Sequence, residues 1–396
     1  MEVMLLIIFM AMVAPNHATD YDIMKFGAKA DGKSDDSVAI SNAWQEACKS
    51  TSPSKVIIPK GNYMVGPTKI QGPCQAPVTI QATGAQLVAP EDPQLFKSQN
   101  SWFQFQTINA LTMIGGSFDG KGELAWKQND CAKTGKCGSI PINLSLNKLT
   151  NTLLQDVQSI DSKQFHMNIL GCLNLTLVGT KISAPDHSLN TDGIHIGRSS
   201  GVNISMADIK TGDDCVSIGD GSQQVNIEKV TCGPPGHGIS IGSLGRYQNE
   251  EPVVGITVRN CTITSTMNGV RVKTWPGNPK PGVARTLHFE DININNVSTP
   301  ILIDQEYCPY NHCTSKNPST VKLSDISFKN IRGTSASQLA VQLKCSKGIP
   351  CENVELSDIN FTYQGVNGSE ALSECKNVQP KLSGQLFFQS CGEPAA

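Results

Sequence analysis

The chain has 396 residues, 14 of them cysteine, with 17% charged side chains and a formal net charge of −2. That balance excludes a nucleic-acid-binding stripe and any global field for a polyanion, so an anionic ligand has to be held by local cations. Gly, Asn, Ser, Thr, Val and Ile dominate, a composition for many short strands and tight turns.

Val3–Val13 is an uninterrupted apolar run of signal-peptide core length, too short to span a bilayer, and Ala18 is a cleavage position. The reading is a leader over 1–18 and a secreted mature chain over 19–396, against the alternative of an N-terminal strand. The cysteines and the Asn-x-Ser/Thr sequons at Asn143, Asn174, Asn203, Asn260, Asn296, Asn360 and Asn367 agree with a secretory route. Chance sequons are common in strands rich in Asn and Thr, so some are bystanders. No later segment is apolar enough to cross a membrane.

Tyr21–Gly32 reads as a short strand and turn. Asp35 and Asp36 then offer N-cap oxygens to a helix with Ile40, Ala43, Trp44 and Ala47 on one face. Such a helix suits the lid of a stacked β-coil, whose first rung exposes apolar core. Cys48 with Cys74 would tie it down. Strand-like runs follow at Lys55–Pro59, Pro77–Ala82, Gln86–Val88 and Leu111–Ile114. Gly120–Gly138 is an inserted loop carrying Trp126, which either stacks on a sugar or covers the coil. The same loop holds Cys131 and Cys137, close enough in sequence to form a local disulfide.

From Asn143 the chain is regular. Apolar-alternating runs recur at Thr152–Val157, Leu173–Val178, Val202–Ala207, Val225–Val230, Ile256–Ile263, Leu287–Ile294, Val321–Phe328 and Val354–Phe361, several followed by Asn, Asp or Gly. No linker divides them, so one continuous domain is expected. Close cysteines suggest further staples, Cys215 with Cys232, Cys308 with Cys313, Cys345 with Cys351 and Cys375 with Cys391, although sequence does not fix connectivity. A zinc site is the rival, but no C-x-x-C occurs.

Four polar clusters punctuate the body: Asn190-Thr191-Asp192, Gly212-Asp213-Asp214, Gly236-His237-Gly238 and Arg271-Val272-Lys273. Their spacings, 213 − 192 = 21, 237 − 213 = 24 and 271 − 237 = 34, mark an all-β solenoid in which like phases stack, roughly 4.8 Å per rung. Asp192, Asp213, Asp214, His237, Arg271 and Lys273 would then converge on one wall. Paired carboxylates cleave glycosidic bonds because one, protonated, gives its proton to the leaving oxygen while the other activates water. Taken singly, each motif also reads as a turn former, and the Asp cluster as a Ca²⁺ site. Two cations in phase weigh against the metal and suit the carboxylate of an acidic sugar.

These four motifs, in this order, resemble the signatures of the polygalacturonases, glycoside hydrolase family 28. The likeness extends to the Phe26-Gly27-Ala28 start. Asp161-Ser162-Lys163, Phe165-His166-Met167-Asn168 and His195-Ile196-Gly197-Arg198-Ser199 resemble the plant pollen-type exopolygalacturonases in particular. The resemblance implies a single-domain right-handed parallel β-helix that hydrolyses α-1,4-linked galacturonan (pectin) with inversion and no cofactor or metal. It implies Asp213 as general acid, Asp192 and Asp214 as activators of water, and His237 as support for the acid. Arg271 and Lys273 would hold the substrate carboxylate and Tyr307 would line the site. Leu189, Val272 and Pro234-Pro235 depart from the usual pattern without removing a reacting group. The expected protein is a secreted, cell-wall-directed monomer with no nucleic-acid or membrane partner. The alternatives are endo cleavage by the same machinery, a Ca²⁺-dependent lyase, and a silent pectin-binding β-helix. The Gly120–Gly138 and Cys308–Cys313 loops are candidates to block one groove end.

Overall fold

The structure, a computed structural model, describes residues 18–96, 100–130, 140–309, 313, 317–365, 370–387 and 391. Residues 1–17 of the expected leader and the sequon at Asn367 lie outside the described residues. So do Cys131 and Cys137, and the disulfide expected between Cys131 and Cys137 is not among the bonds described below.

Alternation of apolar and polar residues in short runs gives strands with one buried face, and here every pairing is parallel. The chain winds as a right-handed parallel β-helix whose walls, among the described residues, are an 11-stranded sheet and a 20-stranded sheet. The smaller sheet stacks in chain order. Its strands are β1 Thr68–Gln71, β2 Ser101–Gln106, β3 Ile142–Asn147, β4 Met167–Leu170, β5 Ile194–Gly197, β6 Asp214–Ile218, β7 His237–Leu244, β8 Asn268–Thr274, β9 Thr299–Asp304, β10 Leu339–Lys344 and β11 Leu372–Lys376. The runs singled out beyond Leu111 build the larger sheet; Leu173–Val178 matches to the residue, and Ile256–Ile263 splits into Val253–Arg259 and Thr262–Thr264.

Register sorts the small sheet into inward and outward ladders. Leu146, Ile169, Ile196, Ile218, Ile241, Val272, Ile303 and Leu343 follow one another rung by rung, all fully buried. Each such side chain contributes roughly 1.5–3 kcal/mol of burial. The ladder between them, Ser145, Asn168, His195, Ser217, Ser240 and Arg271, faces outward, and the chemistry stands there.

Helix α1 (Ser37–Lys49) buries Ala39, Ile40, Ala43, Trp44 and Ala47 against the first strands, as a lid should. Its cap differs from expectation. Asp35 accepts the Ser37 N–H at 2.9 Å and the Gly66 N–H at 3.0 Å, while Asp36 turns back to the N–H groups of Lys29 and Ala30. Cys48–Cys74, Cys215–Cys232, Cys308–Cys313, Cys345–Cys351 and Cys375–Cys391 are disulfides. The sequon at Asn143 is a correction: the side chain is buried, and its Nδ2 donates to Ser159 Oγ at 3.0 Å and to the Phe118 and Ile160 carbonyls. A glycan cannot share that amide in the folded chain. Asn174, Asn260, Asn296 and Asn360 are exposed and Asn203 is half-buried.

Candidate active site

The acidic and histidine motifs fall at or just before the starts of strands β5 to β7, and the basic pair lies within β8. Ile194 pairs with Val216 and Asp214 pairs with His237, so stepping back two residues from Ile194 sets Asp192 beside Asp214 on the next rung. Asp213 occupies the bend before β6, which frees its side chain from strict strand alternation. The three carboxylates meet: one oxygen from each lies within 4.8 Å of the others. Glycine is required at the turn. Gly236 has φ +79°, and a Cβ there would come within 2.4 Å of the Asp213 and Thr211 carbonyl oxygens.

The three carboxyl groups are not equivalent. Burial works to raise the Asp214 carboxyl, but the Lys273 ammonium and Arg271 guanidinium outweigh it and hold it well below the carboxylate range. Lys273 Nζ sits 2.7 Å from its Oδ2, Arg271 Nη2 2.7 Å from its Oδ1, and Ser240 Oγ donates to that Oδ1 at 2.8 Å. Asp213 is pushed up by burial and by the Asp214 charge; Asp192 is pushed well up by burial, Asp213 and Asp214. Asp192 and Asp213 crowd each other beside a fixed anion, so the pair keeps a proton where an ordinary carboxylate has lost its own. Hydrogen bonding sets the two apart. Asp192 accepts from Ser217 Oγ at 2.7 Å and from Asn190 Nδ2 at 3.3 Å, whereas Asp213 takes the Asp214 N–H at 2.8 Å. The donors at Asp192 favour its anion and work against the strong rise that burial and two neighbouring charges impose there.

The basic pair stands differently from the sequence expectation of a shared phase with the acids. Asp214 is in register with His237, and Ser240 with Arg271, so Arg271 and Lys273 lie two rungs away and further along the strand, reaching back. Both are buried and tied to Asp214. Lys273 also lines the groove, so a substrate carboxylate would have to share it with Asp214. His237 is held neutral by burial and the Arg271 charge, with Nδ1 3.1 Å from Asn268 Oδ1. That carbonyl oxygen only accepts, so Nδ1 carries the proton and Nε2 is left with a lone pair.

The groove above these groups encloses about 380 Å³ and is lined by Asn190, Asp192, Asp213, Asp214, Lys273 and Tyr307, with Phe165, His195, Ser217, Arg246, Tyr247 and Glu250. Tyr307 packs on Trp275 and under the Lys273 ammonium, 5.3 Å from its ring centre. On distance alone the three aspartates would accept a hard cation. Both oxygens of Asp214 are already in ion pairs, however, which leaves a poor donor set. Two segments lie close to groove residues. Helix α2 (Glu123–Gln128) lays Trp126 on the coil, its Nε1 donating to the Ser162 carbonyl at 3.0 Å, so Trp126 covers the coil and is not free to stack on a sugar. It meets His187, just ahead of Asn190. The Cys308–Cys313 disulfide directly follows Tyr307 in the chain. Sequence reasoning missed His195, Ser217, Ser240 and Arg246; the interval 217 − 195 = 22 equals 214 − 192 = 22, the one signal that would have paired the first two.

Residues 48–385 match the family model described as glycosyl hydrolases family 28. An exopolygalacturonase of Arabidopsis thaliana is 55% identical over 94% of this chain and 83% of its own length. An exopolygalacturonase of Oenothera organensis is 55% identical over 91% of this chain and 99% of its own. Among solved structures, an endo-xylogalacturonan hydrolase from Aspergillus tubingensis superposes with a TM-score of 0.78 at 22% identity, covering 93% of this chain and 98% of that one, a likeness of fold. Among the described residues no helix is long and apolar enough to cross a membrane.

Proposed function

The chain belongs to glycosyl hydrolase family 28, and from that premise we propose that it hydrolyses α-1,4-galacturonosidic bonds of polygalacturonan, taking residues from a chain end. The observation that supports this reading is the unequal trio: Asp214 clamped as an anion beside two carboxyls pushed up by burial and by its charge. Asp213 gives its proton to the glycosidic oxygen as the C1–O bond breaks. A water held between Asp192 and Asp214 adds to C1 and loses its proton to that pair. Carboxylate oxygens within 4.8 Å of each other suit one water hydrogen-bonded to both at about 2.8 Å. The spacing is nonetheless shorter than the roughly 6.5–9.5 Å of the usual inverting pair, where the two groups stand on opposite faces of the sugar. Here they share one wall, and inversion follows from water attack opposite the leaving group.

Lys273 and Tyr307 receive the substrate carboxylate and ring, and Arg271 acts through Asp214. His237, with its Nε2 lone pair, supports the protonated form of Asp213. The exo reading draws on the α2 and Cys308–Cys313 loops as end walls and on the exopolygalacturonase relatives. The protein acts outside the cell on wall pectin as a monomer, with neither nucleic acid nor membrane as partner. Viscosity against reducing-end release on polygalacturonate tests the exo assignment. A slow viscosity fall at high conversion is expected; a steep fall at low conversion would make it an endo enzyme.

A further inference from the structure

His195 stands in the outward ladder one rung before Ser217, and the two are register partners on β5 and β6. Its Nδ1 lies 2.8 Å from Ser217 Oγ, and that hydroxyl lies 2.7 Å from Asp192 Oδ2. A hydroxyl has a single proton. If Ser217 gives it to Asp192, its other side must accept, so Nδ1 must be the protonated nitrogen of the ring. Phe165 lies tilted against the imidazole with centroids 5.2 Å apart, which limits rotation, and Nε2 faces Gly219 at the groove. Every member of the chain therefore has one fixed donor direction, running toward the carboxylate.

We propose that His195 is a positioning residue for the hydrolysis: through Ser217 it keeps Asp192 in the acceptor form that takes the proton of the attacking water. The inference rests on the assignment of Asp192 to the water-activating pair. It explains how a carboxyl crowded by Asp213 and Asp214 remains a base. The charged groups facing Asp192 are those two aspartates and Lys273, and from the preceding rung come Phe165 and His166, whose ring is turned inward to Ser159. Those facing His195 are Asp214, Lys273 and Asp220. Burial pushes the His195 ring down to about 4, so it stays a neutral donor across the range in which Asp192 titrates and does not itself act as the switch.

The test is the pH dependence of kcat and KM on trigalacturonate for wild type, Ser217→Ala, His195→Phe, the double variant and His195→Asn, whose amide can replace the Nδ1 donor. Loss of the relay raises the pKa of Asp192. The acidic limb of kcat should therefore move up by about one pH unit in Ser217→Ala and in His195→Phe, about a tenfold loss below the wild-type limb. The double variant should shift no further, and His195→Asn should return most of the way. An unmoved limb with only KM raised would make His195 a substrate contact and overturn the proposal. A limb that moves in His195→Phe but not in Ser217→Ala would overturn the route through serine. Should His195→Phe fail to fold, His195→Gln, whose amide reaches toward the Nε2 position and leaves no donor at Nδ1, takes its place with the same expected shift. A wild-type chain without hydrolysis would instead strike at the hydrolase reading, which no variant is needed to see.

Discussion

Asn, Asp and Gly line two edges of this coil, and they do different work at each. Along the larger sheet, Asp156, Gly179 and Asn260 follow strand ends, and Asp291, Asn330 and Asp358 stand at bends within long strands, each with positive φ; the aspartates and asparagines among them are solvent-exposed or partly so. They are turn residues, tolerated there because their short polar side chains suit the left-handed conformation. Along the N-terminal edge of β5 and β6, Asp192 and Asp214 are buried and Asp213 half-buried, none with positive φ; Asp214 is wired to two cations, Asp192 to a hydroxyl and Asp213 to the Asp214 N–H. The same residue type is conformational at one edge and electrostatic at the other. Burial without backbone need marks the edge of the proposed site.

The largest expected effect separates the edges by activity. Asp213→Asn removes the proposed acid and should lower reducing-sugar release from polygalacturonate by at least about 10²-fold. Asp291→Asn, which keeps the acceptor facing Asn330, should leave it unchanged. Equal behaviour of the two would collapse the distinction.

Lys273→Met sharpens it in stability. It strands half the compensation of a buried carboxylate, a loss of about 3 kcal/mol or more, read as a fall in denaturation midpoint. Lys329→Met, taken from the exposed pair with Glu355, should cost less than about 1 kcal/mol.

The sign of pH dependence follows from the raised carboxyls. The folded chain binds the Asp213 proton more tightly than the unfolded one, so this group's share of stability is lost as pH rises above the ordinary Asp pKa of about 3.9. Asp213→Asn should thus be more thermostable than wild type at neutral pH, with the gap closing on acidification. His166 and His195 act oppositely. Burial holds them down, to about 3 and about 4, so the unfolded chain binds more protons below about 6.5 and stability falls as pH drops through that window. Thermal melts from neutral pH down to about 4 measure both. A small effect lies on the turn edge: Asn260→Ala, at φ 54°, should cost about 1 kcal/mol in a denaturant melt with full activity.

Much of the fold was legible because a solenoid repeats. The runs of the larger sheet alternate cleanly, and the lid helix declares its apolar face through Ile40, Ala43, Trp44 and Ala47. The motifs of the site were legible as clusters and spacings, and the structure brings Asp192, Asp213 and Asp214 together as that spacing implies. What escaped depends on register and reach. Whether Arg271 points at a ligand or at Asp214 turns on a displacement of three residues along a strand two rungs away, to which interval arithmetic between clusters is blind. The burial of Asn143, the packing of Trp126 and the backward turn of Asp36 are likewise settled by neighbours distant in sequence. Ser217 carries no signal of its own; only its rung partner gives it a role.

The most direct test of the whole account is the anomer released first. Trigalacturonate digestion followed by proton NMR within the first minutes, before mutarotation, should show β-galacturonic acid appearing ahead of the α form, as water attack from the Asp192–Asp214 wall requires. The α anomer appearing first, or an unsaturated product absorbing in the ultraviolet, would contradict it.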